Sequence, residues 1–223
     1  VSPLLNCATV TAEDDTTVED TDCARVDITP VPSARQCFRP VTLTQELWHH
    51  FGEPDNGIFP GGLMFSRFNQ AFSGQVAFGK PASNHLILGD PTIVSGKTII
   101  FDGSFFGVKM LCDFLPQIGP ADRLHMNYYN PLCTDICRGA GVTNSLAGEV
   151  CALILNIAYN DQRLMPRNPG YDLELFTLTS GLYKGKTVGQ VLNIANAVLS
   201  GAPPVRFGLP AVGGYDVLAD ILK

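Results

Sequence analysis

Charge is the first thing this chain is short of. Asp, Glu, Lys and Arg together make up 16% of its 223 residues, against about a quarter in an ordinary soluble domain. No Lys or Arg precedes Arg25, and the first lysine is Lys80. There is no basic cluster to hold a polyanion, so no nucleic acid partner is expected. Long apolar runs are missing too: none approaches the roughly 18 residues that cross a bilayer, and no membrane span is expected. Phosphate-cradling loops are missing, with neither a Walker A nor a GxGxxG sequence; Gly61–Gly62 and Gly213–Gly214 read as turn residues. The nearest string to a nucleophile elbow, GSFFG at 103–107, sets its serine in the wrong place. No N-x-S/T sequon occurs, which gives no support for a eukaryotic secretory route. These absences leave no cofactor, catalytic residue or metal ligand to assign, and the chain is expected not to be an enzyme.

What is present points outside the cell. Hydrophobic residues make up 45% of the chain, enough to build a core without cysteines holding it together. Yet there are seven: Cys7, Cys23, Cys37, Cys112, Cys133, Cys137 and Cys151. Without a CxxC or a paired CxxC, the metal and redox readings are weak, and all seven are disulfide candidates of an exported protein. The odd count leaves one thiol free or bonded to another chain. The chain opens on Val1 rather than methionine, which fits signal-peptide removal or trimming. A secreted, extracellular or cell-surface protein is expected.

Residues 1–40 differ from the rest. Short Thr/Val-rich pieces alternate with acidic turns and with Pro30, Pro32 and Pro40. Val and Thr favour extended structure, while the prolines oppose a helix and suit edges. Glu13, Asp14, Asp15, Glu19, Asp20 and Asp22 give the first 22 residues a charge of −6, and the remaining 201 balance 15 acidic against 15 basic residues. The run reads as a solvated face; carboxylates suit calcium, but no EF-hand spacing is present. Cys7 and Cys23 flank it, either closing a hairpin as a disulfide or buried or paired separately.

Residues 41–223 read as one α+β domain with a helical last third. LTQELWHHF (43–51) allows one or two helical turns, and Met64, Phe68 and Phe72 form an apolar helical stripe. Strands are expected at QVAF, HLIL and KTIIF. Ser104 is the expected N-cap of FFGVKMLCDFL, which Pro116 stops. A core helix is expected at 145–160, with Leu146, Val150, Leu153 and Ile157 on one stripe and Ala147 and Ile154 beside it. A further helix runs from Thr187, its N-cap, to Ser200, with Val188, Val191, Leu192, Ala195, Val198 and Leu199 inward and Gly201 as its stop. YDVLADILK is still amphipathic at Lys223, which leaves room for the natural protein to continue.

Chemistry has few footholds. His49, His50, His85 and His125 are too scattered to assign a base to a nucleophile. Cys133 and Cys137, with His125 and Asp135, lack the second pair a tetrahedral metal site wants. Disulfides among Cys112, Cys133, Cys137 and Cys151 are the simpler expectation, although Cys151 lies among the apolar positions of its helix and also suits a buried thiol. Asp102, Asp113, Glu149 and Glu174 are available as glycosidase carboxylates, but nothing singles out two of them. Trp48 with Phe51 and Phe59, or Tyr128 with Tyr129, would suit a sugar platform, although such residues are commonly core.

The order of segments TQELWHHFG, FNQAF, VKMLCDFLPQIG, AGEVCALILNIAYND, SGLYKGKTVGQVLNIANAVLSG and YDVLADILK resembles a domain near the C-terminal end of many bacterial secreted and surface proteins. The likeness covers about 44–223 and is most specific in the last 80 residues. It implies export and surface association and brings no catalytic residues. QVLNIANAVLSG is dockerin-like at first sight, but LYKGKT offers no carboxylate for the calcium loop a dockerin needs. The expected function is an extracellular structural subunit of a surface layer or filament, whose residues 1–40 join copies of itself by strand addition or a disulfide. The alternatives are a secreted surface binding module, with glycans as one ligand class, and a hydrolase with an unrecognised site.

Overall fold

The computed structural model describes residues 4–10, 20–26, 42–52, 62–73, 84–131, 143–165 and 172–223. The chain divides into two compact units, Val1–Phe38 and Arg39–Lys223. In the first, β1 (Leu4–Val10) pairs antiparallel with β2 (Asp20–Val26) as a two-stranded sheet. The register sets Leu4 against Val26, Val10 against Asp20, and Cys7 against Cys23. Thr, Val and Ala make up much of both strands, the composition that a pleated ribbon accepts.

The second unit mixes helices with a small sheet, an α+β arrangement. Strand β3 (His85–Leu88) runs antiparallel to β4 (Ile99–Asp102), which lies parallel to the short β5 (Tyr128–Tyr129). Alternation sends Leu86, Leu88, Ile99 and Phe101 into the core, as period-2 side chains require. HLIL and KTIIF thus form strands, while QVAF lies outside the described residues. Between β4 and β5 runs α3 (Phe105–Phe114); Ser104 caps it, accepting from Gly107 N at 3.0 Å. Helices α1 (Gln45–Gly52) and α2 (Leu63–Ala71) precede the sheet, and Met64, Phe68 and Phe72 are buried as their spacing requires.

Within this second unit the central helix is α4 (Ser145–Asp161). It meets α1, α2, β3, and the later helices α5 (Val188–Leu199) and α6 (Gly214–Leu222). Leu146, Val150 and Ile157 are buried as the stripe predicts, while Leu153, expected on the same stripe, is only half-buried. So are Ala147, Cys151, Leu155, Ala158 and Tyr159, because neighbours cover the helix on most sides. Buried amides on it are satisfied: Asn156 Oδ1 accepts from Leu43 N at 2.8 Å and Trp48 Nε1 at 3.1 Å, and Asn156 Nδ2 donates to Leu43 O at 2.9 Å. That clamp fixes α1 on α4, worth about 1 kcal/mol per bond and costly to break. On α5, Thr187 and Gln190 form a reciprocal capping box. Val191, Ala195, Val198 and Leu199 are buried, and Gly201 at φ 111° follows the last turn. Among the described residues no helix is long and apolar enough to cross a membrane.

Candidate functional site

Gly148 lies in the first turn of α4, where glycine costs about 0.5–1 kcal/mol relative to alanine. Its missing side chain makes room for Gln45 from α1: a Cβ at Gly148 would fall 2.6 Å from Gln45 Cδ and 2.8 Å from Gln117 Cβ. Gln45 is buried, and its Oε1 accepts from Gln117 N at 2.8 Å. That bond fixes which end of the amide is which, so Nε2 faces the next residue of α4 and donates to Glu149 Oε1 at 2.7 Å. Gln117 is buried in turn; its Nε2 donates to Phe114 O, and its Oε1 accepts from Asn144 N at 3.4 Å. Asn144 is also the N-cap of α4, accepting from Ala147 N at 3.2 Å. Amides from three segments thus hold one carboxyl group in a fixed orientation, and burial makes the arrangement costly to leave half satisfied.

The carboxyl that they hold lines a cleft of about 450 Å³. Leu43, Pro116, Ala152, Leu153 and Leu222 give it aliphatic walls, and Thr42, Thr44, Glu46, Asn156 and Lys223 complete the lining. Burial pushes the Glu149 carboxyl above its ordinary range; the Gln45 hydrogen bond and the Lys223 charge pull it down without reversing the shift, and Asp220 adds to it. Glu149 Oε2 has no hydrogen-bond partner among the described residues. The cleft size falls within that of small-ligand sites, which pair apolar walls with a few placed polar groups. On the rim, exposed Glu46 lies with Oε1 3.4 Å from His50 Nε2.

The other carboxylates that the sequence offered are occupied or remote. Asp102, at the end of β4, is a latch: Oδ1 accepts from Ser104 N at 3.0 Å and from Ser104 Oγ, while Oδ2 accepts from Tyr129 Oη at 3.0 Å and Asn130 Nδ2 at 2.6 Å. Burial raises its pKa, but the hydrogen bonds from Ser104, Asn130 and Tyr129 outweigh burial and leave it lowered. Four donors fill the acceptor capacity of one carboxylate, so Asp102 ties the β4–α3 turn to β5. Asp113 pairs with Lys109 at 2.9 Å. Glu174 sits near Asp161, whose carboxyl is pushed up to about 6 by burial and by the charges of Glu174 and Asp172. Of Asp102, Asp113, Glu149 and Glu174, only Glu149 lines the cleft.

Trp48 does not offer a sugar platform at the surface. Trp48 is fully buried, edge-on to Tyr159 at 4.9 Å between ring centroids. Tyr129 is 60% exposed and Tyr128 packs partly on the core. Phe59 and the Phe51 side chain lie outside the described residues, as do Cys37, Cys133, Cys137, Asp135 and most of the acidic run. Cys151 is a fully buried free thiol, and burial pushes its pKa up. Cys112 is buried on α3, with Sγ donating to His49 O at 3.3 Å while His49 Nδ1 donates to Cys112 O at 2.9 Å. His125 Nε2 lies 3.2 Å from Asp122 Oδ2, and no group of three or more His, Cys, Asp or Glu among the described residues could hold a metal.

Gln45, Gln117, Asn144 and Gly148 were not singled out by the sequence. The usable signal was Gly148 itself, an isolated glycine inside an apolar helical pattern. No family model, no curated protein and no solved structure matches this chain.

Proposed function

We propose that residues 41–223 form a surface binding module whose ligand seats in the Glu149 cleft. The observation that carries this reading is the buried relay Asn144–Gln117–Gln45, which orients a single carboxyl into an aliphatic cavity. The ligand class that fits is hydroxylated with apolar faces, as a sugar ring is. Leu43, Pro116 and Leu153 suit the C–H face, and Glu149 accepts from hydroxyls at the edge. Uncompensated burial of a carboxyl is unfavourable, and hydrogen bonds from a ligand to Glu149 Oε2 would offset part of that cost. The likeness to domains of bacterial surface proteins, the low charge and the cysteine count support an extracellular setting. Retention on a glycan array tests the proposal. Wild-type protein is expected to be retained, and Leu153→Trp, which fills the cleft, is not; equal retention of both would remove the cleft from the account.

A second reading, an exported structural subunit that joins copies of itself through residues 1–40, is favoured by a different observation. The sheet of β1 and β2 has only two strands, so each has an edge unpaired among the described residues. An isolated two-stranded hairpin is marginal in water, and an open edge accepts another strand. Sedimentation of the chain with and without residues 1–40 tests it. Assembly lost on deletion, with the helical signal kept, supports the reading. Assembly that survives deletion, or a wild-type monomer at high concentration, contradicts it.

A further inference from the structure

Away from the Glu149 cleft, a recess of about 300 Å³ lies at the C-terminal end of α5, lined by Val94, Ser95, Lys97, Arg123, His125 and Ser200 among others. Three basic side chains from two separate segments meet there in a domain with no excess of positive charge, since residues 41–223 hold 14 acidic against 12 basic. We infer that this recess is a binding site for an oxyanionic group: a sulfate, phosphate or carboxylate.

A helix C-terminus attracts cations on its own account, because its last carbonyls carry partial negative charge. Here those carbonyls already accept backbone donors. Asn196 O takes Ser200 N at 3.0 Å, Ala197 O takes Ala202 N at 3.0 Å, and Val198 O takes Gly201 N at 3.0 Å. Leu199 O accepts from Leu124 N at 2.7 Å and Ser200 O from Lys97 N at 3.4 Å. The cationic side chains are therefore not needed to cap the helix.

These same bonds bring the recess together. They tie the loop carrying Lys97 and the segment carrying Arg123 and His125 to one helix end. Ser200 Oγ adds a further clamp, donating to Lys97 O at 2.8 Å and accepting from Asp90 N at 2.5 Å. The nearby carboxylates have partners of their own. Asp122 accepts from Arg123 N at 2.7 Å and faces His125 at 3.2 Å, and Asp90 accepts from Thr92 N at 2.8 Å and Thr92 Oγ1 at 2.6 Å. Among the described residues, neither Lys97 nor Arg123 has a carboxylate within salt-bridge distance. Two cations without a carboxylate partner, one of them a guanidinium suited to bidentate contact, and no carboxylate among the lining residues leave a recess that an oxyanion would complete.

The test is an amide NMR titration with sodium sulfate and sodium phosphate at constant ionic strength, with sodium chloride as reference. Saturable shifts at 94–97, 123–125 and 200–201 are expected, and Lys97→Ala with Arg123→Ala should weaken them at least about tenfold. Arg123 is exposed, Lys97 is half-buried and neither belongs to the hydrophobic core, so the paired variant should keep the wild-type spectrum elsewhere. Galactose 6-sulfate and galactose form a second arm. Tighter binding of the sulfated sugar than of inorganic sulfate assigns the site to an anionic glycan; equal binding assigns it to the free anion. Shifts that chloride reproduces, or that survive the double substitution, overturn the inference whatever happens at Glu149.

Discussion

Replacing Gly148 by alanine should destabilise this protein, although the same change in an ordinary helix stabilises. The usual gain is about 0.5–1 kcal/mol, from lost backbone freedom in the unfolded chain. Here the added Cβ would fall 2.6 Å from Gln45 Cδ and 2.8 Å from Gln117 Cβ, so the Gln45 amide must leave. Its departure strands the buried Gln117 N–H, at about 1–3 kcal/mol, and removes the bond to Glu149, at about 1 kcal/mol. Set against the helix gain, the net loss is about 1–3 kcal/mol. Urea unfolding of the full chain reads it directly. A cycle with Gln45→Ala locates the cause: the two substitutions should couple by more than about 1 kcal/mol, because the glutamine is what the methyl group displaces. A Gly148→Ala variant more stable than wild type, or strict additivity in the cycle, would refute the packing argument.

Asp161 predicts a pH dependence. Its carboxyl is pushed up to about 6 by burial, with Glu174 and Asp172 adding to the shift and a Leu173 backbone hydrogen bond opposing it; Oδ1 is buried without a partner. The native state therefore holds the proton more tightly than the unfolded chain, whose value is about 3.9. This group's contribution is most favourable at low pH, is lost as pH rises from about 4 to 6, and stays lost above. Asp161→Asn should raise stability by about 1–2 kcal/mol at pH 8, allowing for solvent screening of a half-buried group, and do little at pH 4; an equal effect at both would contradict this. Val150→Asp, placing a carboxyl at a fully buried position of α4, should cost on the order of 3–5 kcal/mol or prevent folding, and a soluble variant melting like wild type would show the helix is not central.

Local rules were legible in the sequence where one residue type had one use. Ser104 and Thr187 cap helices, Gly201 follows one, and the stripe of Met64, Phe68 and Phe72 turns inward. On α4 periodicity understated burial, because neighbours leave only the stripe of Ser145, Glu149 and Leu153 and the terminal Asp161 half-buried, and its Asn156 and Asn160 are inside. The site was harder to see. Glu149 was one of four carboxylates without distinction, and what distinguishes it comes from Gln45 and Gln117, 104 and 32 positions before it in the sequence. Amide pairing of that kind leaves no local pattern. Trp48 and Asp102 suggested binding chemistry by residue type, yet each is consumed by structure, one by the Asn156 clamp and the other by four donors at the β4–α3 turn.

The central claim, that Glu149 is held ready for a ligand, is tested most directly by titrating isotope-labelled protein with a panel of methyl glycosides and following backbone amides. Saturable shifts are expected at 42–46, 149–156 and 222–223, and they should disappear in Glu149→Gln while the rest of the spectrum is unchanged. A panel that leaves those amides unmoved, or shifts that persist undiminished in Glu149→Gln, would contradict the account.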